Sequence, residues 1–190
     1  PPPPPPNPTS PPRRSSDLVE IDPVIQQIGV ERNPDRPYDD PRVRRVINDG
    51  RAHLANTDEH YDLIVFALPD SLTLVSTQAN VRLESFLFTE EAFAAARDRL
   101  TDEGVFVLYN YYRQPWLIEK LASMLETSFG HPPAVRTYAL TSAALAAGPA
   151  IAALDGAAPP GDRVDTLQPS EGATPVNATD DWPFLYLRTP

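Results

Sequence analysis

The sequence contains no cysteine. That excludes a disulfide framework and any thiolate metal site. Histidine is scarce too. His53, His60 and His131 are scattered, without the close spacing that metal ligands need. No apolar run approaches the roughly 20 residues of a membrane-spanning helix, and no signal peptide is visible at the start. Positive charge is short as well. The net charge of −10 argues against a nucleic-acid backbone as partner. It favours a small cationic substrate only weakly, because most acidic proteins are simply soluble.

What is present is enough for one domain: 190 residues, 41% of them hydrophobic. Proline is abundant, and nine of the first twelve residues are Pro, followed by Arg13-Arg14-Ser15-Ser16. Such a tract favours polyproline II or disorder and cannot enter a core. It reads either as a ligand for a proline-binding module or as a linker. Residues 1–17 are thus set apart as a Pro-rich disordered segment, and residues 18–190 as one domain.

Leu18 to Pro23 organises that domain. Leu18, Val19 and Ile21 form an apolar strand that stops at acidic residues, and Pro23 suits the first turn of a helix. Asp22 is placed to cap it. Val24, Ile25 and Ile28 give the helix an apolar face that ends near Gly29. Val43, Val46 and Ile47 form a second strand, closed by Asn48-Asp49-Gly50, with a short helix from Arg51 to Asn56. Tyr61 to Leu68 is a nearly continuous apolar run and predicts a strand buried on both faces. A long connection, residues 71–88, has the length of a binding loop. Thr89 predicts an N-cap, with the helix over Glu90 to about Leu100 and Phe93, Ala96 and Leu100 inward. A turn at Asp102-Glu103-Gly104 leads to a strand over Val105–Tyr109. Trp116 to Phe129 is an amphipathic helix with Leu117, Leu121, Met124 and Leu125 on one stripe. Strands follow over Val135–Leu140 and Ala143–Ala147, a helix after Pro149, and a closing strand over Trp182–Leu187.

Alternating strands and helices predict an α/β fold with a mostly parallel sheet and helices on both faces. Ligands of such sheets bind beyond the carboxyl ends of the strands. Glu20, Asp49 and Asp70 fall at three successive strand ends. For an adenosine ligand, Glu20 suits the ribose diol and Asp49 the adenine amino group, with Gly50 allowing close backbone approach. Asp70 would face the reacting centre and accept a proton from an amine or hold an ammonium. Each also has a plainer reading, because Asp49-Gly50 is an ordinary turn pair and Asp70 follows Pro69 in a turn.

Several motifs occur in a familiar order. They are Leu18 to Pro23, Asp39-Asp40-Pro41-Arg42-Val43, Asn48-Asp49-Gly50-Arg51, Tyr61-Asp62-Leu63-Ile64-Val65 and Phe88-Thr89-Glu90-Glu91-Ala92-Phe93. Together they resemble the spermidine/spermine synthase family over roughly residues 18–130. The segment Val81 to Ser85 and the ending Asp180-Asp181-Trp182-Pro183-Phe184-Leu185-Tyr186-Leu187-Arg188 resemble the soluble domain of bacterial membrane-anchored synthase-like proteins. The resemblance implies a Rossmann-like class I S-adenosylmethionine-dependent methyltransferase fold. It implies aminopropyl transfer, in polyamine biosynthesis, from decarboxylated S-adenosylmethionine to a polyamine or other amine acceptor. It further implies no metal, commonly an oligomer, and a cytoplasmic location, here as the soluble domain of an inner-membrane parent.

Two departures stand out. The family carries two acids three apart after the strand that reads Tyr61 to Val65 here, the first of them the expected base. Alignment puts Ala67 at that first position and Asp70 at the second. The family's first strand and Gly-rich loop also precede the acidic strand, where this chain has prolines, which cannot supply the ladder of a central strand. The domain is therefore expected to lack that strand and loop and to bind cofactor poorly. A methyltransferase using ordinary S-adenosylmethionine, a non-catalytic synthase-like scaffold and a proline-rich interaction protein remain alternatives.

Overall fold

Local capping signals set most element boundaries. In the computed structural model, which describes residues 16–67, 83–112, 114–138, 142–154 and 170–190, Asp22 caps the first helix. Its carboxylate accepts the Val24 N–H at 2.8 Å, and Pro23 opens the helix. The chain divides into two compact units, Pro1–Asn56 and Thr57–Pro190.

In the first unit, β1 (Ser16–Glu20) runs parallel to β2 (Val43–Ile47), each followed by a helix, α1 (Pro23–Arg32) and α2 (Gly50–Asn56). Asp17 lies directly opposite Arg44 and forms a two-pronged ion pair with it, with His53 of α2 3.8 Å from the same carboxylate. That pairing pins the register. The helix does not stop at Gly29 but continues to Arg32. A Cβ at Gly29 would sit 2.9 Å from the Tyr38 hydroxyl, so the glycine is there to let the Tyr38 ring approach. The apolar face of α1 is left open among the described residues: Val24 is 61% exposed, and Ile25 and Ile28 are exposed too.

In the second unit, β3 (Tyr61–Ala67), β4 (Leu100–Tyr111), β6 (Ser142–Ala147) and β5 (Ala134–Tyr138) lie side by side in that order. β3 and β4 are parallel, while β6 is antiparallel to both β4 and β5. One face packs on α3 (Glu90–Arg97) and α4 (Pro115–Phe129). There Phe66, Phe93 and Phe106 cluster with ring centroids 4.9 to 6.5 Å apart. The predicted stripe of Leu117, Leu121, Met124 and Leu125 is fully buried, and Gly130 ends α4 in the left-handed region at φ 77°.

The strand expected to be buried on both faces is buried on one. Ile64 and Phe66 face the helices, while Leu63 is 56% exposed and Val65 42%. Leu100 is buried as predicted but opens β4 rather than closing α3, which ends at Arg97. Asp102-Glu103-Gly104 lies within β4 at an irregularity in its register with β3. Gly148 precedes α5 (Pro149–Ala152) at φ 127°, where a Cβ would meet the Gly104 carbonyl oxygen at 2.7 Å.

The tail forms no strand over Trp182–Leu187. Pro183 interrupts it, and the segment is held instead by side chains and by a single bridge between Thr179 and Trp182. Its anchor is Lys120, the chain's sole lysine, which is fully buried on α4. Its ammonium donates to the Phe184 and Leu187 carbonyls, both at 2.8 Å, and lies 4.7 Å from the centroid of the Trp182 ring. At the other end, the Thr89 hydroxyl donates to Asp180 at 2.9 Å while its oxygen accepts the Ala92 N–H, capping α3. Burial pushes the Lys120 ammonium down from 10.5 to about 8. The unfolded chain keeps that proton to the higher pH, so between about 8 and 10.5 the unfolded state binds more protons and stability rises with pH. Denaturant unfolding is expected to show a rise of up to about 1.4 kcal/mol per pH unit across that window. Lys120→Met should abolish this component, measured as the difference between the two proteins' curves.

Candidate functional site

Two of the predicted residues gather at the carboxyl end of the first unit's strands. Glu20 is the last residue of β1, and Asn48 and Asp49 follow β2 directly. The Asn48 N–H donates to the Glu20 carbonyl at 3.1 Å, which hooks the two strand ends together. The Glu20 carboxylate accepts the Asp22 N–H at 2.9 Å, and Asp22 in turn caps α1. Glu20 is therefore oriented by the helix start that follows it.

Asp49 is held in the same way. Its N–H donates to the Asn48 side chain at 2.9 Å, and its carboxylate accepts the Ala52 N–H at 2.8 Å. It is the cap of α2, which opens at Gly50. The plainer reading thus holds beside the functional one. A carboxylate offers about four acceptor positions, so one backbone bond leaves Glu20 and Asp49 capacity for a diol or an amino group. Both side chains are half-buried. A pair of fixed, partly desolvated acceptors at the end of parallel strands can bind polyhydroxyl or amino groups without spending much side-chain entropy.

Of the remaining predicted residues, Ala67 ends β3 in the second unit and is exposed. Asp70 and the connection over 71–82 lie outside the described residues. The end of that connection, Leu83–Leu87, is a short 3-10 turn. Tyr38 packs against α1 at Gly29. Among the described residues no group of three His, Asp or Glu could hold a metal ion, and no helix is long and apolar enough to cross a membrane.

Two acidic positions have structural roles that the motif order alone does not reveal. Asp40 accepts the Arg42 N–H and pairs with its guanidinium at 2.6 Å, and Arg42 holds its carboxyl down to about 2. This turn feeds β2, since the Val43 N–H donates to the Asp40 carbonyl at 2.9 Å. Asp17 is the buried acid that sequence reading passed over. Its partner Arg44 is 27 residues away, so no local pattern announces the pair.

The chain matches the model of the spermine/spermidine synthase domain over residues 13–146. The polyamine aminopropyltransferase of Thermococcus onnurineus is 30% identical over 92 residues, covering 47% of this chain and 29% of that protein. The Bacillus subtilis polyamine aminopropyltransferase is 28% identical over 118 residues, or 61% of this chain and 39% of that one. The chain therefore spans about a third of the length of these relatives. A solved spermidine synthase in complex with the transition-state analogue AdoDATO superposes with a TM-score of 0.54 at 18% identity, covering 92% of this chain and 57% of its own. Human methyltransferase-like protein 13 in complex with SAH gives 0.55 at 22% identity, covering 70% and 60%. These structures share the Rossmann-like methyltransferase fold with this chain.

Because Asp49 caps α2, Asp49→Ala is expected to cost about 1 kcal/mol of stability. Asp49→Asn, which caps equally well, should stay within about 0.5 kcal/mol of the original in denaturant unfolding.

Proposed function

The chain belongs to the spermine/spermidine synthase domain family, and on that premise we propose that it carries the nucleoside-recognition part of an aminopropyl-transfer site. The observation that carries the reading is the hooked pair of strand ends. Glu20 and Asp49-Gly50 stand at the carboxyl ends of adjacent parallel strands, each carboxylate fixed by a backbone N–H. In this reading Glu20 accepts the ribose hydroxyls and Asp49 accepts the adenine amino group, with Gly50 admitting the ring. The ligand is decarboxylated S-adenosylmethionine, and the acceptor is a polyamine or other amine. The amine lone pair attacks the propyl carbon bonded to the sulfonium. The carbon–sulfur bond breaks, methylthioadenosine leaves, and the amine proton must go to a base. Asp70 is the residue assigned to that proton or to holding the ammonium.

Ala67 gives a specific ground for a second reading. It occupies the position at the end of β3 where the family's first acid belongs, and a methyl group takes no proton. A synthase-like scaffold without turnover, or a methyltransferase that needs no such base, fits that residue better. The two-stranded sheet of the first unit bears on affinity. So small a sheet is marginal by itself, and we read it as wanting a third strand, whose Gly-rich loop would supply N–H groups to the amino-acid end of the ligand. In a membrane-anchored parent, this chain would be the soluble part.

Calorimetric titration separates these readings. The unaltered chain is expected to bind methylthioadenosine no tighter than millimolar, and a version with a strand and Gly-rich loop placed before Leu18 is expected to prefer decarboxylated S-adenosylmethionine. In that version Glu20→Gln should weaken binding at least tenfold, about 1.4 kcal/mol. Micromolar binding by the unaltered chain would overturn the missing-strand reading. Preference for ordinary S-adenosylmethionine would move the assignment to methyl transfer, and binding of neither would leave a scaffold.

A further inference from the structure

Tyrosines on the open face of the four-stranded sheet gather at one edge. β3, β4 and β5 all run the same way, because β3 is parallel to β4 and β6 is antiparallel to both of its neighbours. Their carboxyl ends therefore share an edge. The last row there joins Tyr111, Ser142 and Tyr138, and the row before it joins Ala67, Tyr109, Ala144 and Arg136. Directly opposed residues share a face. The next row inward, Val65, Val107, Ala146 and Ala134, holds no aromatic residue. Carboxyl ends of parallel strands are where open α/β sheets take ligands. Rings confined to that edge are thus placed as ligand contacts, which a merely apolar face would not require.

Tyr109 stands beside a slot. Its neighbours in the row are two methyl groups, Ala67 on β3 and Ala144 on β6, so neither side of the ring meets a bulky side chain of the sheet. Tyr109 is 39% exposed and Tyr111 48%. Among the described residues no other ring or cation stands against either. Across Ala144 the next large side chain is Arg136, whose guanidinium lies 5.3 Å from the centroid of the Tyr138 ring. The strands bearing Tyr109 and Arg136 are two spacings apart, about 9.5 Å. A flat ring in contact on both sides needs roughly 7 to 8 Å, so the slot has width for one.

Charge narrows the occupant. A chain of net charge −10 draws cations. Among the described residues, however, the two tyrosine-bearing rows hold no carboxylate, and their one charge is that of Arg136. A single ammonium can rest on a tyrosine ring. A second ammonium finds no anion there to replace its water.

We propose that this slot takes the aromatic body of an amine acceptor. Its ring stacks on Tyr109 above Ala144, and its ammonium meets the ring of Tyr111. The acceptor class is an aromatic monoamine rather than a diamine with a charge at each end. The amine's role as acceptor rests on the aminopropyl-transfer reading, while its binding here needs only residues of the second unit.

Titrating the full chain with phenethylamine and with diaminobutane, followed by NMR at the Ala144 amide, tests the slot. No nucleoside is present, so the outcome is separate from that of the methylthioadenosine titration. Phenethylamine is expected to bind in the millimolar range and at least tenfold tighter than diaminobutane, the reverse of the order that net charge alone would give. Tyr109→Ala should weaken phenethylamine binding at least tenfold and Tyr109→Phe should preserve it, both with an unchanged circular dichroism spectrum. Equal binding of the two amines, tighter binding of diaminobutane or no binding of phenethylamine overturns the proposal. So does phenethylamine binding that survives Tyr109→Ala.

Discussion

A buried positive charge governs the larger unit. Lys120 has no exposure, and among the described residues the partners of its ammonium are all groups of the tail: two carbonyls and the Trp182 ring. Without them a charged lysine inside the core would be strongly destabilising. The tail is thus required by α4, and it returns the constraint to α3. There Asp180 accepts from Thr89, its N–H donates to Glu91, and the Glu90 N–H donates to Ala178. The two helices also meet directly, through the Ser128 hydroxyl on the Glu90 carbonyl and the Arg97 guanidinium on the Ser128 carbonyl, and the tail adds a second tie from about 60 residues further along the chain.

The same economy is visible at the candidate site. Glu20 and Asp49 each serve the backbone first, one at the entry to α1 and one as the cap of α2. Capping orients a carboxylate more firmly than solvent exposure does. It also explains how residues that read as ordinary turn chemistry can stand ready for a ligand.

Much of this was legible in the sequence because it is local. The Asp22 and Thr89 caps, the Gly130 stop, the stripe of α4 and the strand after Ser142 all follow from signals within a few residues of one another. The failures are non-local. A lysine in an amphipathic helix reads as surface, and nothing near Lys120 announces carbonyls more than 60 residues away. The run Tyr61–Ala67 is apolar but for Asp62, which suggested two covered faces, but burial depends on what lies opposite, and among the described residues only the α3–α4 side is filled. The Trp182–Leu187 segment has strand composition without a free edge to join, and Pro183 removes a donor where a ladder would need one. Asp70, the third member of the predicted site, falls outside the described residues and stays a proposal.

The solitary buried lysine also makes the protein its own tamper seal. A protease specific for lysyl bonds has a single target in the whole sequence, and that target is sealed inside α4. Cutting therefore requires the tail to lift and the helix to open. The rate of that one cleavage reports directly on how often the larger unit opens, with no label or probe introduced.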